Sequence, residues 1–549
     1  MQSFQTRAIR FFHQNQVVSI DGSATASAGQ TGAAATSTRT VLEWLREDQR
    51  CTGTKEGCSE GDCGACTVVV AELDAQGALQ LKPVNACIQF LPTLDGKALF
   101  TVEDLAAADG SLHPVQQSLV ACHGSQCGFC TPGFVMSLWA TYLRHQAAGS
   151  VPSRLQLADD LSGNLCRCTG YRPILDAAEL MFSMPPVPLA AKPVIEALQA
   201  LQQDPPLHTA QGFHAPRTLD DFAMLRQALP QAKVLAGSTD MGLWVTKQFR
   251  DLGALLSINE VAELRQVQVH PDHILIGAAA SLEDAWLALV ADWPSLRDVW
   301  LRFASLPIRR AGTMGGNVAN GSPIGDSAPV LMALDAQLLL RCGAALRRLP
   351  LDQFYLGYMK NALQPGEFLQ AIEVPRGRRI GSNDSSNSSN NNSNNNSNNS
   401  NNSNNSNNSS GPQLQVYKIS KRFDCDISAV CAAFALQVQD QKVSHVRLVF
   451  GGMAATVSRA AQAEAAALGQ TWNEATMQAC QAALAADFQP LTDMRASAGY
   501  RMQVAQNLLR RFWLQTRSEM PLAESELNVF ARPAGGLAAD LAAAALAVR

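Results

Sequence analysis

One spacing of cysteines constrains this chain more than any other feature. Cys58-Ser-Glu-Gly-Asp-Cys63-Gly-Ala-Cys66 is followed, after twenty residues, by Cys87. The resulting C-x4-C-x2-C-x20-C pattern suits four thiolates around a [2Fe–2S] core. Gly53, Gly57, Gly61 and Gly64 crowd the same loop, as a tight turn requires if backbone N–H groups are to approach bridging sulfides with no side chains in the way. A zinc knuckle would show two C-x2-C pairs instead.

A second set joins a C-x2-C to a C-x-C: Cys127-Gly-Phe-Cys130 and, 35 residues on, Cys166-Arg-Cys168. Thr131-Pro132 directly after Cys130 opens a helix, whose free N–H groups would lie beside a negatively charged cluster. Structural zinc is the rival reading for this set. Ten of the 14 cysteines fall within the first 168 residues, in a chain whose start lacks a basic end, a long apolar stretch and a small-residue cleavage site. The expectation is reduced, metal-binding thiolates in a cytoplasmic protein, with no disulfide scaffold. Cys51, Cys122, Cys342, Cys425, Cys431 and Cys480 read as small core residues.

With 549 residues the chain has the length of about three or four domains. Only 16% of residues are charged, 43 basic against 47 acidic, which excludes binding to nucleic acid or an anionic membrane by bulk charge. No apolar run approaches the ~18 residues of a membrane span. Alternating segments at Arg7 to Phe12 and Val17 to Ile20 read as strands, and Thr40-Val-Leu-Glu43 predicts a capping box at the start of a helix. The small, polar stretch 23–37 reads as an insertion. From Pro114 the pattern turns helical. Pro114 and Pro132 suit first turns, Gly124 and Gly149 suit helix stops, and Phe134, Val135, Leu138, Trp139 and Tyr142 recur at helical spacing. A last helix is expected from Pro173 to about Met184, then a proline-rich linker to about Leu207.

Beyond it, short strands alternate with helical stretches such as Leu282 to Val290. Strand is expected over Val446 to Phe450, with helices over Glu464 to Leu468 and Ala475 to Ala485. The domains read from this are 1–105, 106–184, a linker at 185–207, 208–380, an Asn/Ser insertion at 381–411 expected to be disordered, 412–530, and a tail at 531–549.

Two small-residue loops mark another binding region. Val234-Leu235-Ala236-Gly237-Ser238-Thr239-Asp240-Met241 is an apolar strand running into a loop that can offer N–H groups and hydroxyls to a pyrophosphate; alone it reads equally as an ordinary turn. The loop Ala311 to Asp326 has five glycines and several short hydrogen-bonding side chains, leaving room for a large polar ligand. Neither is a G-x-G-x-x-G fingerprint.

The strings GCSEGDCGACTVVV, NACIQFL, HGSQCGFCTPGFVMS and GNLCRCTGYRPI closely resemble the two [2Fe–2S] domains of the xanthine dehydrogenase family of molybdenum hydroxylases. The two small-residue loops resemble the FAD-binding domain of that family. The resemblance runs from Arg7 to about Asn528 and implies a multidomain α+β fold. Its parts would be an N-terminal β-grasp, ferredoxin-like [2Fe–2S] domain, a helical-bundle [2Fe–2S] domain, a two-subdomain FAD-binding domain of the vanillyl-alcohol-oxidase type, and a C-terminal α+β flavoprotein domain.

By the same resemblance, Cys58, Cys63, Cys66 and Cys87 would hold one cluster and Cys127, Cys130, Cys166 and Cys168 the other, with Gln126 near a partner's molybdopterin. Val234 to Met241 would hold the FAD pyrophosphate. Thr313, Gly315, Gly316, Asn317 and Asp326 would hold its ribityl and ribose region, and Phe303 would stack near the isoalloxazine. Leu369 and Lys418 would be further flavin contacts, Lys418 at the carbonyl edge, where a cation stabilises negative charge. Tyr358, Asp424 and Asp426 would adjoin a nicotinamide pocket at the flavin face. Read without the resemblance, Phe303 is a core residue, Tyr417 to Ser428 a charged strand edge and Gln126 an exposed glutamine.

Nothing after Asn528 has the length of the molybdopterin domain that single-chain family members carry. The resemblance therefore implies an iron–sulfur and FAD subunit, with hypoxanthine or xanthine oxidised on a molybdopterin-binding large subunit and the two paired as a dimer of heterodimers. Electrons would pass through two clusters to FAD and on to NAD+ as hydride. No residue of this chain would be catalytic in substrate oxidation. The nine histidines form no H-E-x-x-H, and G-x-S-x-G and G-x-x-x-x-G-K-[ST] are missing, which removes zinc-protease, serine-hydrolase and P-loop readings. Two further readings stand: a related molybdenum hydroxylase of aldehydes or other N-heterocycles, and a non-catalytic iron–sulfur adaptor with two clusters and no FAD.

Overall fold

The computed structural model describes residues 5–21, 37–376 and 412–527. The expected insertions, Ser37 excepted, and the tail at 531–549 lie outside these residues. Strands β1 (Ile9–His13) and β2 (Gln16–Ile20) pair through Gln14 and Asn15, both at positive φ, the conformation that matches a two-residue hairpin to strand twist. The expected capping box opens α1 (Val41–Glu47). Thr40 Oγ1 accepts from Glu43 N at 3.1 Å, and Glu43 Oε2 accepts from Thr40 N at 2.8 Å.

β3 (Thr67–Leu73), β4 (Leu79–Asn85) and β5 (Ala98–Phe100) complete a sheet in the order β2-β1-β5-β3-β4. Its two faces bury different neighbours, because side chains alternate along a strand. Ile9, Phe11, Val68 and Leu99 pack with Trp44 of α1, while Phe12, Val69, Ala98 and Phe100 pack against the helices that follow.

Those helices are α2 (Pro114–Ala121), α3 (Thr131–Ala147), α4 (Arg154–Asp160) and α5 (Arg172–Leu180). Pro114 and Pro132 stand in first turns, where a missing N–H costs nothing. The span 185–207, read as a linker, needs correction. It contains α6 (Ala191–Leu201), whose Val194, Leu198 and Leu201 are buried in the helical core. Their three- and four-residue spacing is a helical stripe, which the surrounding prolines obscured.

The next region has two sheets. β6 (Leu207–His208), β7 (Phe213–Ala215), β8 (Lys233–Leu235) and β9 (Leu255–Ser257) pair in the order β6-β7-β9-β8, with α7 (Leu219–Ala228) and α8 (Met241–Thr246) between strands. β10 (Val267–Val269), β11 (His273–Gly277), β12 (Gln337–Cys342) and β13 (Ala345–Pro350) come next, followed by the hairpin β14 (Tyr355–Gly357) and β15 (Lys360–Asn361), and then β16 (Phe368–Pro375). An antiparallel sheet runs β10-β11-β16-β12-β13. Between β11 and β12 lie α9 (Leu282–Asp292), α10 (Arg297–Arg302), α11 (Leu306–Ala311), α12 (Met314–Asn320) and α13 (Ser327–Ala333).

The last region is an antiparallel sheet of β17 (Gln413–Ile419), β18 (Val430–Gln439), β19 (Lys442–Gly451) and β20 (Ser458–Arg459), backed by α14 (Ala461–Ala467), α15 (Glu474–Asp487) and α16 (Ala498–Thr516). Leu414, Val416, Cys431 and Val449 share one core with Trp286, Val330 and Ile372, so this sheet and the preceding region bury a common apolar interior. No described helix is long and apolar enough to cross a membrane.

Candidate cofactor sites

Cys58, Cys63 and Cys66 lie on the loop before β3, and Cys87 follows β4. Antiparallel pairing sets Thr67 opposite Asn85, which brings Cys66 beside Cys87 at the end of the sheet. These two are 1% and 2% exposed, while Cys58 and Cys63 are half-buried. The thiols touch in a string from Cys63 to Cys58 to Cys87 to Cys66. Contacts with Cys63 and Cys87 pull the Cys58 thiol down, and contact with Cys87 does the same to Cys66; the same contacts push Cys63 and Cys87 up. Cys63 N donates to Cys58 Sγ at 3.4 Å and Asn85 Nδ2 to Cys66 Sγ at 4.0 Å. Donors aimed at sulfur are what an anionic cluster requires.

The second set forms two pairs, Cys127 with Cys168 and Cys130 with Cys166. α3 begins directly after Cys130. Cys130 is pushed up to about 12 by burial and by Cys166. The backbone N–H groups of Cys168 and Thr169 both donate to Cys166 Sγ at 3.4 Å, and Tyr171 Oη accepts from Cys166 N at 3.1 Å. Cys127 and Cys168 are exposed, as are Gln126, Phe129 and Tyr171 around them. Among the described residues no three His, Cys, Asp or Glu side chains gather as the ligands of one metal ion would. The thiols are strung out in contacting pairs, an arrangement that a two-iron core can take.

Residues beside the first set reach the region that holds a cavity of about 570 Å³. Gln89, two residues past Cys87, donates from Nε2 to Gly237 O at 3.2 Å, and Thr246 Oγ1 of α8 donates to Ser59 O at 2.7 Å. Glu72 of β3 binds both Lys82 and Arg265. Burial alone would raise Glu72, but Lys82, Arg265 and Lys97 outweigh it and hold the carboxyl below the usual range.

The cavity brings the two small-residue loops together. Its wall includes Val234, Ala236, Gly237, Ser238, Thr239, Asp240 and Met241 on one side, Thr313, Gly315, Gly316 and Asn317 on another, and Leu369 at an apolar end. Thr313 caps α12, its Oγ1 accepting from Gly316 N at 2.9 Å. Gly237 has no room for a side chain, since a Cβ there would stand 2.0 Å from Ala311 O. Ser238 sits at φ +60, a conformation that costs a non-glycine residue about 1 kcal/mol or more. Ser238 Oγ and Asn317 Oδ1 are buried without a hydrogen-bond partner among the described residues. Unpaired buried polar atoms on the wall of a cavity this size fit a large polar ligand such as a dinucleotide.

Other expected flavin residues lie off this wall. Leu235 is fully buried on the opposite face of its strand, as the two-residue period requires. Phe303 packs near Trp286, with ring centroids 6.0 Å apart. Lys418 Nζ donates to Asp326 Oδ2 at 2.6 Å and to Ser428 Oγ at 2.9 Å, and Ser428 Oγ donates to Asp326 Oδ1 at 2.7 Å. This closed, buried triad ties α13 to β17. Tyr358 is exposed in the turn of the β14–β15 hairpin, whose Met359 reaches the wall. Asp424 is exposed, and Asp426 accepts from Arg422 N at 2.8 Å. Sequence reasoning missed Trp244, Asn320, Phe368 and Arg226, which also line the cavity; only Asn320, within the glycine-rich loop, carried a signal.

Two thiol sets with sulfur-directed donors, together with a dinucleotide-sized cavity, define an iron–sulfur flavoprotein. Known families match three stretches of the chain: a [2Fe–2S] binding domain over residues 101–179, which includes the second thiol set, the FAD binding domain in molybdopterin dehydrogenase over 208–377, and the CO dehydrogenase flavoprotein C-terminal domain over 415–516. Xanthine dehydrogenase of Emericella nidulans is 31% identical across 89% of this chain and 38% of its own length. Aldehyde oxidase 4 of Cavia porcellus is 31% identical across 61% of this chain and 29% of its own. A carbon monoxide dehydrogenase structure from Hydrogenophaga pseudoflava, 25% identical, aligns over 55% of this chain and 94% of its own with a TM-score of 0.46. The chain belongs to the molybdenum hydroxylase family and carries its [2Fe–2S]-binding and FAD-binding domains. It spans little more than a third of the length of the curated xanthine dehydrogenase it matches.

Proposed function

We propose that this chain is the iron–sulfur and FAD subunit of a cytoplasmic xanthine dehydrogenase, working with a molybdopterin-binding large subunit in a dimer of heterodimers. When bound, the clusters carry single electrons and the flavin gathers two of them for hydride transfer to NAD+. Cys58, Cys63, Cys66 and Cys87 would hold the inner cluster; Cys127, Cys130, Cys166 and Cys168 would hold the outer one. The loops Val234 to Met241 and Thr313 to Asn317 would hold FAD, with Ser238 Oγ and Asn317 Oδ1 as hydrogen-bonding groups that only a ligand satisfies. Tyr358, exposed on the hairpin whose Met359 lines the cavity, would adjoin the nicotinamide. The observation that carries this reading is the placement of the sites: Gln89, two residues past Cys87, is hydrogen-bonded to Gly237 of the cavity wall, and Cys127 and Cys168 of the outer set are open to solvent.

The test is the full chain produced anaerobically, assayed for iron, acid-labile sulfide and released flavin, and then mixed with NADH. Two clusters and one FAD per chain, with flavin bleaching on NADH, are expected. Clusters without flavin leave the adaptor reading, and flavin that NADH does not reduce removes NAD+ as acceptor. Ser238→Ala and Asn317→Ala should each weaken FAD binding about tenfold, the equivalent of one hydrogen bond of roughly 1.4 kcal/mol, without destabilising the flavin-free chain. A second reading, a molybdenum hydroxylase of aldehydes, is favoured by the 31% identity to aldehyde oxidase 4; xanthine and aldehyde turnover by the assembled enzyme separates the two.

A further inference from the structure

The two thiol sites meet at a single joint. Leu165, the neighbour of Cys166, donates its backbone N–H to the carbonyl of Cys63 at 3.0 Å. Asn164 beside it is 2% exposed and spends its polar atoms on the same joint. Its Nδ2 donates to Gly64 O at 3.1 Å and to Thr67 Oγ1 at 3.3 Å, and its Oδ1 accepts from Ser137 Oγ of α3 at 2.6 Å. Gly64, at φ +68, is pinched between the two sides: a Cβ there would stand 2.2 Å from Gly163 O, and one on Gly133 would stand 2.1 Å from Gly64 O. A buried amide with both ends bonded holds its surroundings rigidly, because any displacement strands polar groups away from water.

We propose that the Leu165 N–H to Cys63 C=O hydrogen bond is the electronic contact between the two cluster sites, and that Asn164 is the positioning residue that keeps it closed. The inference rests on the electron-transfer reading above. From Cys166 Sγ to Cys63 Sγ the path runs through covalent bonds except at this one hydrogen bond, and electronic coupling falls far less steeply through bonds than across a gap. One electron would pass from a cluster held by Cys127, Cys130, Cys166 and Cys168, oxidising it, to one held by Cys58, Cys63, Cys66 and Cys87, reducing it. No bond forms or breaks and no proton moves at Leu165 or Cys63. In the test below, dithionite supplies the electron.

The experiment uses the full chain, loaded anaerobically with iron and sulfide, mixed with one electron equivalent of dithionite per chain, frozen at successive times and examined by low-temperature electron paramagnetic resonance. Asn164→Asp keeps the acceptor for Ser137 but turns the donor facing Gly64 O into an acceptor; Asn164→Ala removes the clamp. Ser137→Ala leaves both Nδ2 bonds in place. At wild-type iron content, the Asn164 variants should redistribute electrons between the two clusters at least several-fold more slowly, with each cluster's own signal unchanged. Ser137→Ala should match wild type. Wild-type redistribution in either iron-replete Asn164 variant would overturn the proposal. If one variant fails to retain iron, the other decides. A parent chain that takes up no clusters overturns the proposed function itself, a result distinct from intact clusters with unchanged coupling.

Discussion

The two thiol sites use the same ligand chemistry in opposite surroundings. Cys66 and Cys87 sit in the core shared by the first sheet and α1, and their surroundings are fastened to the region that follows α6 by Gln89–Gly237, Ser59–Thr246 and Glu72–Arg265 contacts. Cys127 and Cys168 stand at the surface, with Gln126 and Phe129 exposed beside them. Burial therefore ranks sites that their ligand sets leave equal. Two of the inner thiols are enclosed by the core, whereas two of the outer ones are open to solvent.

The largest expected effect comes from placing the same substitution in both sites. Cys66→Ser and Cys168→Ser should each cost one cluster, read as iron and acid-labile sulfide. In chains without iron, Cys66→Ser should also cost about 1–3 kcal/mol for a buried, poorly paired hydroxyl, while Cys168→Ser should leave thermal unfolding within about 0.5 kcal/mol of wild type. Equal destabilisation would break the comparison.

Glu72→Gln tests the fastening of the inner domain and should cost about 1.5–3 kcal/mol at neutral pH, a value typical of hydrogen bonds to charged groups. The sign with pH follows from its depressed folded value. An unfolded Glu titrates near about 4.3, so the stabilisation is complete above that pH and is lost as pH falls through the folded value. Denaturant titrations should show a steeper loss below about pH 4.3 in wild type than in the variant.

Gly133→Ala probes the joint. In a helix interior this change ordinarily stabilises by about 1 kcal/mol, but here the added methyl meets Gly64 O at 2.1 Å. The chain should instead lose about 1–3 kcal/mol in chemical denaturation, the usual cost of overpacking. The smallest effect belongs to Gln126→Ala on the exposed outer rim: stability within about 0.5 kcal/mol of wild type and full iron content. Loss of iron there would show that the rim is part of the site.

Features set by neighbours in the chain were legible. Thr40 and Glu43 announced the capping box, Pro114 and Pro132 the helix starts, and the cysteine spacings the ligand sets, because caps, turns and ligand loops depend on residues a few positions apart. The sequence reading overlooked α6 behind its prolines, and it named no helix at α16. There Arg501, Ala505, Leu508, Leu509 and Phe512 form a buried stripe whose partners lie far upstream. At the flavin site both loops were identified, but the strand alternation that turns Leu235 inward was not applied. The pairing of Lys418 with Asp326, 92 residues apart, could not be read from either residue, because a buried cation takes whichever anion the fold delivers.

The sequence by itself determined the chemistry available: two sets of four thiols, two loops able to cradle a polar dinucleotide, and the strand and helix starts that carry them. Only the tertiary structure decided that Cys66 and Cys87 are buried while Cys127 and Cys168 face out, that Asn164 bonds to both sides, and that Lys418 is matched by Asp326. Ligand sets and turns follow from residues adjacent in the chain. Burial and long-range hydrogen bonds, such as that from Gln89 to Gly237 across 148 positions, exist only once distant segments have packed.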